Sequence, residues 1–427
     1  MNRYMLFCLL MIGAWVVKAQ GPSLEKAEAL IEAGKNEEAG PLLNDLRTSE
    51  DLEVRAGALR LTGVMMIKSD ELDSAQWYLN QALQLSRETY LREEMMVSLH
   101  QLGRVQVFKG NFGKAQAYGE EARNLALELN DLEAEASING LLGWSYYSNE
   151  VDFKTVLMLE KRQAEIVGRI DQSIRKGIVY NNLGYDLTVA GFTSLDSIIK
   201  LSKIANAIFG HIEGSKGRWY TSMNLIWQYR LKNQLDSSKY YGELAVRQGL
   251  QANDRHAVVE TYFQLGVTLL TRGEREAAAQ SFAQGKEWRG SENDRDGYVF
   301  DVYYADWLWE IGKKKEAMAL LEEAVEFLKT SEVLYEMQGR VVLAHRYYEQ
   351  GKIDKAEAQI RVIENPRHNY ISFETRCLAA IIRARLLDRN AETSKAKTLL
   401  TSWLKHMESI QADALAGLLR EEMEKLG

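Results

Sequence analysis

A small residue recurs about every 40 residues along most of this 427-residue chain, and this repeat constrains the fold more than any other feature. The small residue usually follows a large apolar or aromatic one. These positions, named here the anchors, are Ala27, Gly63, Gly103, Gly143, Gly184, Gly266, Ala305, Ala344 and Ala384, with Ile226 in the one weak copy. A repeat of this length indicates that each copy is one supersecondary unit, which buries its apolar face only by stacking on its neighbours.

Two further sets of positions keep step with the anchors. Seven residues after the anchor comes a turn former, at Gly34, Asp70, Gly110, Gly191, Asn233, Gly273, Gly312 and Gly351. Five residues later comes a second small residue, at Ala39, Ala75, Ala115, Ser238, Ala278, Ala317, Ala356 and Ala396, whereas copies four and five carry Thr155 and Asp196. A small anchor lets a neighbouring helix approach closely, and the turn residue accepts the positive φ that ends the first helix. The pattern predicts ten helical hairpins.

The best copies pair Leu265-Gly266 with Ala278 and Phe282, Leu102-Gly103 with Ala115 and Ala122, and Leu142-Gly143 with Tyr146. In these residues the chain resembles the tetratricopeptide-repeat (TPR) family over about residues 24–409. The period near 40 is similar to the longer-repeat branch that includes kinesin light chains, although the family's early tryptophan and closing proline are mostly absent. The resemblance implies an all-α, right-handed superhelical solenoid of antiparallel helix pairs, which we expect to occupy residues 20–410.

A further amphipathic helix is expected in residues 411–427, after the last pair. A solenoid end needs a cap with one apolar and one polar face. The residues expected to face the array are Leu415, Leu418, Leu419 and Leu426. Those expected to face water are Arg420, Glu421, Glu422, Glu424 and Lys425.

Residues 1–19 are typical of a secretory signal peptide. Arg3 supplies the positive charge, Met5 to Val17 form an apolar run, and small residues precede a predicted cut between Ala19 and Gln20. The alternative is an uncleaved membrane anchor, but the run is shorter than the ~20 residues that span a bilayer as a helix. We therefore expect export to the periplasm or the cell exterior as a soluble chain without a transmembrane segment.

The charge of the chain argues against nucleic acid as a partner. The full chain has 53 basic and 60 acidic residues, and loss of residues 1–19 removes Arg3 and Lys18, so 51 basic residues face 60 acidic ones. An acidic chain with dispersed basic residues is poorly suited to binding nucleic acid.

The remaining cysteine, Cys377, falls in an apolar helical stretch and is expected to be a buried structural thiol.

The chain carries none of the sequence motifs that commonly mark catalytic sites. It lacks a phosphate-binding glycine loop, a His-Glu-x-x-His helix and a Gly-x-Ser-x-Gly elbow. The segment 292–297 resembles the first half of a calcium loop, but Tyr303 stands where the bidentate glutamate belongs. An acidic loop between repeats is the favoured interpretation. We expect no enzymatic activity, no metal and no cofactor.

The resemblance also implies where a partner binds. In the family, the concave groove is lined by residues three before, one after and four after the anchor. Here these are Arg60, His100, Arg104, Trp144, Tyr147, Asn181, Tyr185, Thr188, Met223, Trp227, Arg230, Phe263, Asp306, Trp309, His345 and Tyr348. The alternative is that the large aromatic residues have a structural role and pack between repeats.

The predicted function is that of an exported scaffold, which binds a protein or peptide partner in this groove. Aromatic residues and arginine are the side chains that most often anchor an interface. The alternative is an extracytoplasmic sensory or regulatory subunit that acts on a separately encoded membrane kinase or transporter.

Overall fold

A computed structural model of the chain describes residues 22–32, 35–148, 153–169, 173–211, 216–290, 294–329, 333–365 and 371–426. Over these residues the backbone forms twenty-one α-helices and no β-strand. In chain order they are α1 (Pro22–Glu32), α2 (Asn36–Leu46), α3 (Leu52–Lys68), α4 (Leu72–Glu88), α5 (Arg92–Phe108), α6 (Phe112–Leu129), α7 (Leu132–Ser148), α8 (Phe153–Arg169), α9 (Ser173–Ala190), α10 (Leu195–Gly210), α11 (Lys216–Leu231), α12 (Leu235–Gln251), α13 (Arg255–Thr271), α14 (Arg275–Arg289), α15 (Arg295–Glu310), α16 (Lys314–Leu328), α17 (Val333–Glu349), α18 (Ile353–Ile363), α19 (Phe373–Arg389), α20 (Thr393–Ser409) and α21 (Asp413–Lys425). The all-α prediction is confirmed. The predicted cut at Ala19 and Gln20 lies outside the described residues.

The helices pack in consecutive pairs, each odd-numbered helix against the even-numbered one that follows it. The pairs α3–α4, α5–α6 and α13–α14 have the most extensive packing, and α9 meets α10 where Gly184 faces Ser202. Odd-numbered helices of neighbouring pairs also pack against one another, as α3 does with α5 and α13 with α15. In these pairs an odd-numbered helix has one face toward its own partner and another toward the next odd-numbered helix. Across the described residues, no helix has the length and apolarity needed to cross a bilayer.

The turn positions behave as the sequence predicts. All of the predicted turn formers that the structure describes lie in the left-handed region, namely Asp70, Gly110, Gly191, Asn233, Gly273, Gly312 and Gly351. After two of these turns the chain satisfies a carbonyl of the preceding helix, because Glu71 N donates to Met66 O over 2.9 Å and Asn111 N donates to Gln106 O over 2.8 Å. The prediction of the turns is confirmed, except at Gly34, which lies outside the described residues.

The anchors fulfil their predicted role unequally. A β-carbon added at Gly63 would lie 2.6 Å from Leu79 Cγ, and one at Gly184 would lie 2.8 Å from Ser202 Oγ. At Gly143, by contrast, no atom of the described residues lies within 4 Å of the added carbon. The prediction of close helix approach is correct at Gly63 and Gly184, and it is wrong at Gly143 so far as the described residues are concerned, because they leave room for a methyl group there.

The chain divides into two compact units, residues 1–179 and residues 180–427, with the boundary inside α9. The core of unit 1 is built from leucine, valine and alanine, with Leu79, Leu99 and Leu142 fully buried. The core of unit 2 is more aromatic, and Phe282 stacks on Trp307 at a centroid distance of 5.7 Å. The wider side chains of unit 2 therefore fill the space between its helix pairs.

Within unit 2, the last helices contact the first ones. The Leu195 N–H, at the start of α10, donates to the carbonyl oxygen of Ile410 over 3.0 Å, and α21 packs on α11 as well as on α20. Phe373 packs so closely on Gly191 that a β-carbon there would lie 2.4 Å from its ring. The first and last helix pairs of unit 2 therefore contact each other.

Helix α21 differs from the predicted cap at two residues. Leu415, Leu419 and Leu426 are buried as predicted, but Leu418 is 44% exposed and Glu422 is 3% exposed. Residues 415, 419, 422 and 426 follow the i, i+4, i+7, i+11 spacing of a single helix face. Glu422 therefore faces the array, where it binds the Arg385 guanidinium through bonds of 2.6 and 2.8 Å.

Candidate partner-binding site

Most of the predicted groove residues of unit 2 contact other odd-numbered helices. The Asn181 Oδ1, on α9, accepts a 2.9 Å hydrogen bond from Asn224 Nδ2 on α11. Met223 is 4% exposed and accepts at its sulfur atom from the Thr261 hydroxyl over 3.3 Å. Thr188 is also fully buried and donates to the carbonyl oxygen of Gly184 over 2.6 Å. These side chains already have hydrogen-bond partners within the chain.

Trp227 joins two helices that are far apart in the sequence. The indole Nε1–H, on α11, donates to Glu374 Oε2 on α19 over 2.7 Å. The ring lies 6.0 Å from the Tyr185 ring, and Trp227 is 8% exposed. Trp227 thus combines burial with a charge-assisted hydrogen bond.

Arg230 is buried beside this contact. It is 9% exposed, and its Nη1 donates to Gln264 Oε1 over 2.7 Å. Among the residues that the structure describes, no carboxylate lies within ion-pair distance of this guanidinium. A cation therefore lies in the interior of unit 2 with a neutral amide as its described hydrogen-bond acceptor.

Tyr303 completes what we name the inner cluster, which consists of Trp227, Arg230, Gln264, Tyr303 and Glu374. The Tyr303 ring stacks on Phe263 at 4.3 Å, and its hydroxyl donates to Gln338 Oε1 over 2.8 Å. Burial raises the pKa of the Tyr303 hydroxyl above its ordinary value, and the Arg230 charge opposes this rise. The phenol therefore stays protonated at neutral pH and acts as a hydrogen-bond donor.

The aromatic rings of the later predicted groove residues, Trp309 and Tyr348, lie close to cationic side chains. Trp309 is 6% exposed, with Lys314 Nζ 4.9 Å and the Arg346 guanidinium 5.1 Å from its ring centroid. Arg346 also pairs with Asp306. Tyr348 lies 5.9 Å from the Arg385 guanidinium. Burial and the Arg346 charge lower the pKa of His345, so this imidazole is mainly neutral at pH 7.

In unit 1 the predicted basic residues are buried. Arg60, on α3, binds Glu94 on α5 through bonds of 2.8 and 3.4 Å. His100 and Arg104, both on α5, are 1% and 6% exposed. Trp144 packs partly buried against Val107, Ala115 and Leu141. The side chain of Tyr147 lies outside the described residues.

The structure brings in residues that the three predicted positions miss. Gln101, Asn224, Gln264 and Tyr303 all stand two residues before an anchor, and each contacts a predicted residue or its neighbour. This fourth position on the first helix could have been found from the repeat alignment. Glu374 could not, because it lies at the start of α19 and no repeat position corresponds to it.

The acidic segment before α15 is engaged in a structural role. Asp294 caps α15 by accepting from Gly297 N over 2.9 Å and pairs with Arg255, while Asp296 lies 2.7 Å from His256 Nδ1. Glu292 and Asn293 of the calcium-like segment lie outside the described residues. Within the part of the chain that the structure describes, no group of acidic, histidine or cysteine side chains is arranged to hold a metal ion.

Cys377 is a buried thiol, as expected. It is fully buried, and burial together with the Glu374 charge raises its pKa to about 12. A thiol of that pKa stays protonated and unreactive at neutral pH.

No protein-family model and no curated protein matches the chain. Solved structures do share its fold. The apo form of the quorum sensor NprR from B. thuringiensis is 12% identical, with a TM-score of 0.59 over 80% of this chain and 96% of that one. A Rap protein complexed with Competence and Sporulation Factor is 13% identical, with a TM-score of 0.56 over 86% and 98%. Aspartyl phosphate phosphatase F from Bacillus subtilis is 13% identical, with a TM-score of 0.55 over 83% and 97%.

Identities this low establish the fold alone. The neighbours are TPR-like helical-repeat proteins, and the chain has the same arrangement of packed helix pairs. The predicted TPR-like fold is confirmed. The assignment of groove residues stays a prediction.

Proposed function

We propose that the chain is an exported, non-enzymatic scaffold that binds a segment of a partner protein at the inner cluster of unit 2 and at Asn181. The observation that carries this proposal is that Trp227 and Arg230, both on α11, bond to two other odd-numbered helices, Trp227 to Glu374 on α19 and Arg230 to Gln264 on α13. Tryptophan, tyrosine and arginine are the residues that most often dominate binding energy. In this arrangement, a buried aromatic ring bonds a carboxylate on one helix, and a buried cation on the same helix as the ring bonds a neutral amide on another.

Binding would proceed by exchange of hydrogen bonds. The Asn181–Asn224 amide pair presents a donor and an acceptor on each side chain, the same groups that a peptide backbone offers. The Arg230 guanidinium carries five N–H donors, and Gln264 occupies one of them. A partner segment that replaces these contacts would keep the buried polar groups satisfied, which is the condition for tight binding in a desolvated site.

The absence of enzymatic activity is proposed from the sequence, which lacks catalytic motifs. The fold does not decide the question, since one neighbour is named a quorum sensor and another a phosphatase. Fold and function are separable in this way in many architectures.

A sensory or regulatory subunit is the second candidate. The name of the NprR neighbour favours it, because that protein senses a signal with the same fold. A sensor would change conformation when its signal binds, whereas a scaffold need only hold its partner. Hydrogen exchange with and without the captured partner would separate the two, because a sensor should show changes in helices that do not touch the partner.

The proposal is tested by comparative capture from an envelope extract, with mass spectrometry of the bound proteins. Asn181→Ala and Arg230→Ala should each weaken binding of the main captured partner by about 1–4 kcal/mol. Arg275→Ala is the matched control, because the Arg275 side chain is 64% exposed, and it should bind like the wild type. Equal capture by all three variants and the wild type would refute this placement of the site.

Export has its own test. The protein recovered from the envelope or the medium should begin at Gln20 or within a few residues of it, as read by N-terminal sequencing. Recovery with an intact Met1 would contradict the proposed cleavage.

A further inference from the structure

Arg104 is a buried cation whose charge the described part of unit 1 does not compensate. The residue is 6% exposed, and its Nη1 donates to Gln101 Oε1 over 2.8 Å. Its Nε has no hydrogen-bond partner, and no carboxylate lies within ion-pair distance of it among the described residues. A buried charge costs folding free energy unless it is paired with an opposite charge. The burial of Arg104 without such a partner therefore calls for an explanation.

Arg60 shows how the same unit compensates a buried arginine. It is 2% exposed, and both oxygen atoms of Glu94 bind its guanidinium. Burial lowers the pKa of Arg60, but the charge and hydrogen bond of Glu94 outweigh burial and raise it. For Arg104, burial alone acts and lowers the pKa to about 10. Unit 1 thus supplies a carboxylate to one buried guanidinium and, in its described part, none to the other.

We propose that Arg104 is a recognition point for a carboxylate group carried by a partner protein. A guanidinium offers two parallel N–H groups, from Nε and one Nη, which match the two oxygens of a carboxylate. Gln101 engages Nη1, and the buried Nε–H has no hydrogen-bond acceptor among the described residues. Gln101 then holds the plane of the guanidinium, and the anion supplies the missing negative charge.

This proposal rests on the proposed function only in naming a partner as the source of the carboxylate. The site lies in unit 1 and uses no residue of the inner cluster. Its test therefore needs no partner. A failure of Asn181→Ala or Arg230→Ala to alter capture would overturn the proposed function and leave the anion measurement unaffected.

The experiment measures the Tm of the purified full chain in acetate, phosphate and chloride at equal ionic strength. A ligand that binds the folded state raises Tm in a saturable way. Acetate should raise the wild-type Tm above its value in chloride, more than inorganic phosphate does. Arg104→Met should have a higher Tm than the wild type in chloride, because an uncompensated buried charge is replaced by an apolar chain of similar length. It should also lose the acetate-dependent rise.

Arg60→Met is the matched control. It leaves Glu94 buried without its cation, so its Tm should fall in every buffer while the acetate-dependent rise persists. Arg104→Lys keeps the charge and loses the two parallel donors, so the apparent affinity for acetate should fall several-fold; this variant decides the matter should Arg104→Met fail to fold. No acetate-dependent rise in the wild type, an equal rise in Arg104→Met, or a larger rise in phosphate would each overturn the assignment.

Discussion

The indole nitrogen of Trp227 donates a 2.7 Å hydrogen bond to the carboxylate of Glu374, although 147 residues separate the two in the sequence. Repeat arrays are usually held together by contacts between adjacent copies, so contacts of this range are not required for stacking. In unit 2 the bond lies in the same region as the packing of Phe373 on Gly191 and the pairing of Leu195 with Ile410. The first and last helix pairs of unit 2 therefore stabilise each other, which makes the unit more cooperative than an open array.

Replacing Trp227 with phenylalanine tests this contact. Trp227→Phe keeps most of the apolar surface and removes the donor to Glu374, so it should lower the free energy of unfolding by about 1–3 kcal/mol. The measurement is urea denaturation followed by circular dichroism. Trp77→Phe is the control, because Trp77 is 57% exposed, and it should change stability by less than about 0.5 kcal/mol. Equal midpoints for the two variants would mean that the Trp227–Glu374 bond contributes nothing measurable.

His256 should make the stability of unit 2 depend on pH. Burial lowers the pKa of this imidazole, but the hydrogen bond to Asp296 and the charge of Glu260 outweigh burial and raise it above its ordinary value of 6.5. A raised folded-state pKa means that the stabilisation is complete below pH 6.5 and is lost as the pH rises through the folded-state pKa. The urea midpoint of the wild type should exceed that of His256→Gln at pH 6, and this difference should decrease as the pH is raised to 9. A constant difference would contradict the charged pair.

At low pH the same pair should lose stability through its other member. Burial raises the pKa of Asp296, but its contacts with His256 and Arg295 lower it to about 2. The contribution of this carboxylate is present above its ordinary pKa of 3.8 and is lost as the pH falls toward 2. The stabilisation by the His256–Asp296 pair should thus be greatest between about pH 4 and pH 6.5.

The parts of the fold that could be predicted are those set by local spacing. The turn at Asp70 follows from a fixed distance to Gly63, and both the turn and the buried Ala75 are where the repeat places them. Such features depend on a few neighbouring residues, so a recurring pattern records them. Glu422 shows where residue type alone misleads. Its charge predicts that it faces water, but its spacing from Leu415 and Leu419 places it on the buried face, where it binds Arg385.

The inner cluster could be predicted only in part. Trp227 and Arg230 occupy the repeat positions that predict groove residues, whereas their partners Glu374 and Gln264 lie outside those positions. The contact with Glu374 depends on how all the intervening pairs of unit 2 are packed, and a small rotation at each pair would separate the two side chains. No local pattern carries that information. The burial of Arg104 without a carboxylate was invisible for the same reason.

Two anchor glycines that look equivalent in the sequence should respond oppositely to alanine. Gly63→Ala places a methyl group 2.6 Å from Leu79 Cγ and should destabilise the protein by about 1–3 kcal/mol. Gly143→Ala meets no atom of the described residues within 4 Å and should stabilise α7 by up to about 1 kcal/mol, because alanine favours a helix over glycine. Thermal melting of the two variants measures both effects. Changes of the same sign would show that the space beside Gly143 is not as open as the structure has it.

Removing α21 should affect both ends of unit 2 and leave the middle of unit 1 unchanged. A chain that ends at Gln411 loses Leu415 and Leu419, which are buried against the array, and it leaves Arg385 without Glu422. Since α21 also packs on α11, amide hydrogen exchange should become faster in α10 and α11 as well as in α19 and α20. Exchange in α3 to α6 should match that of the full chain, because repeats respond mainly to their neighbours. The control is Glu421→Ala, at an exposed position of α21, which should leave every helix unchanged. Faster exchange confined to α19 and α20 would mean that the contact with α11 contributes little, whereas faster exchange in every helix, α3 to α6 included, would mean that the whole chain unfolds as one cooperative globule.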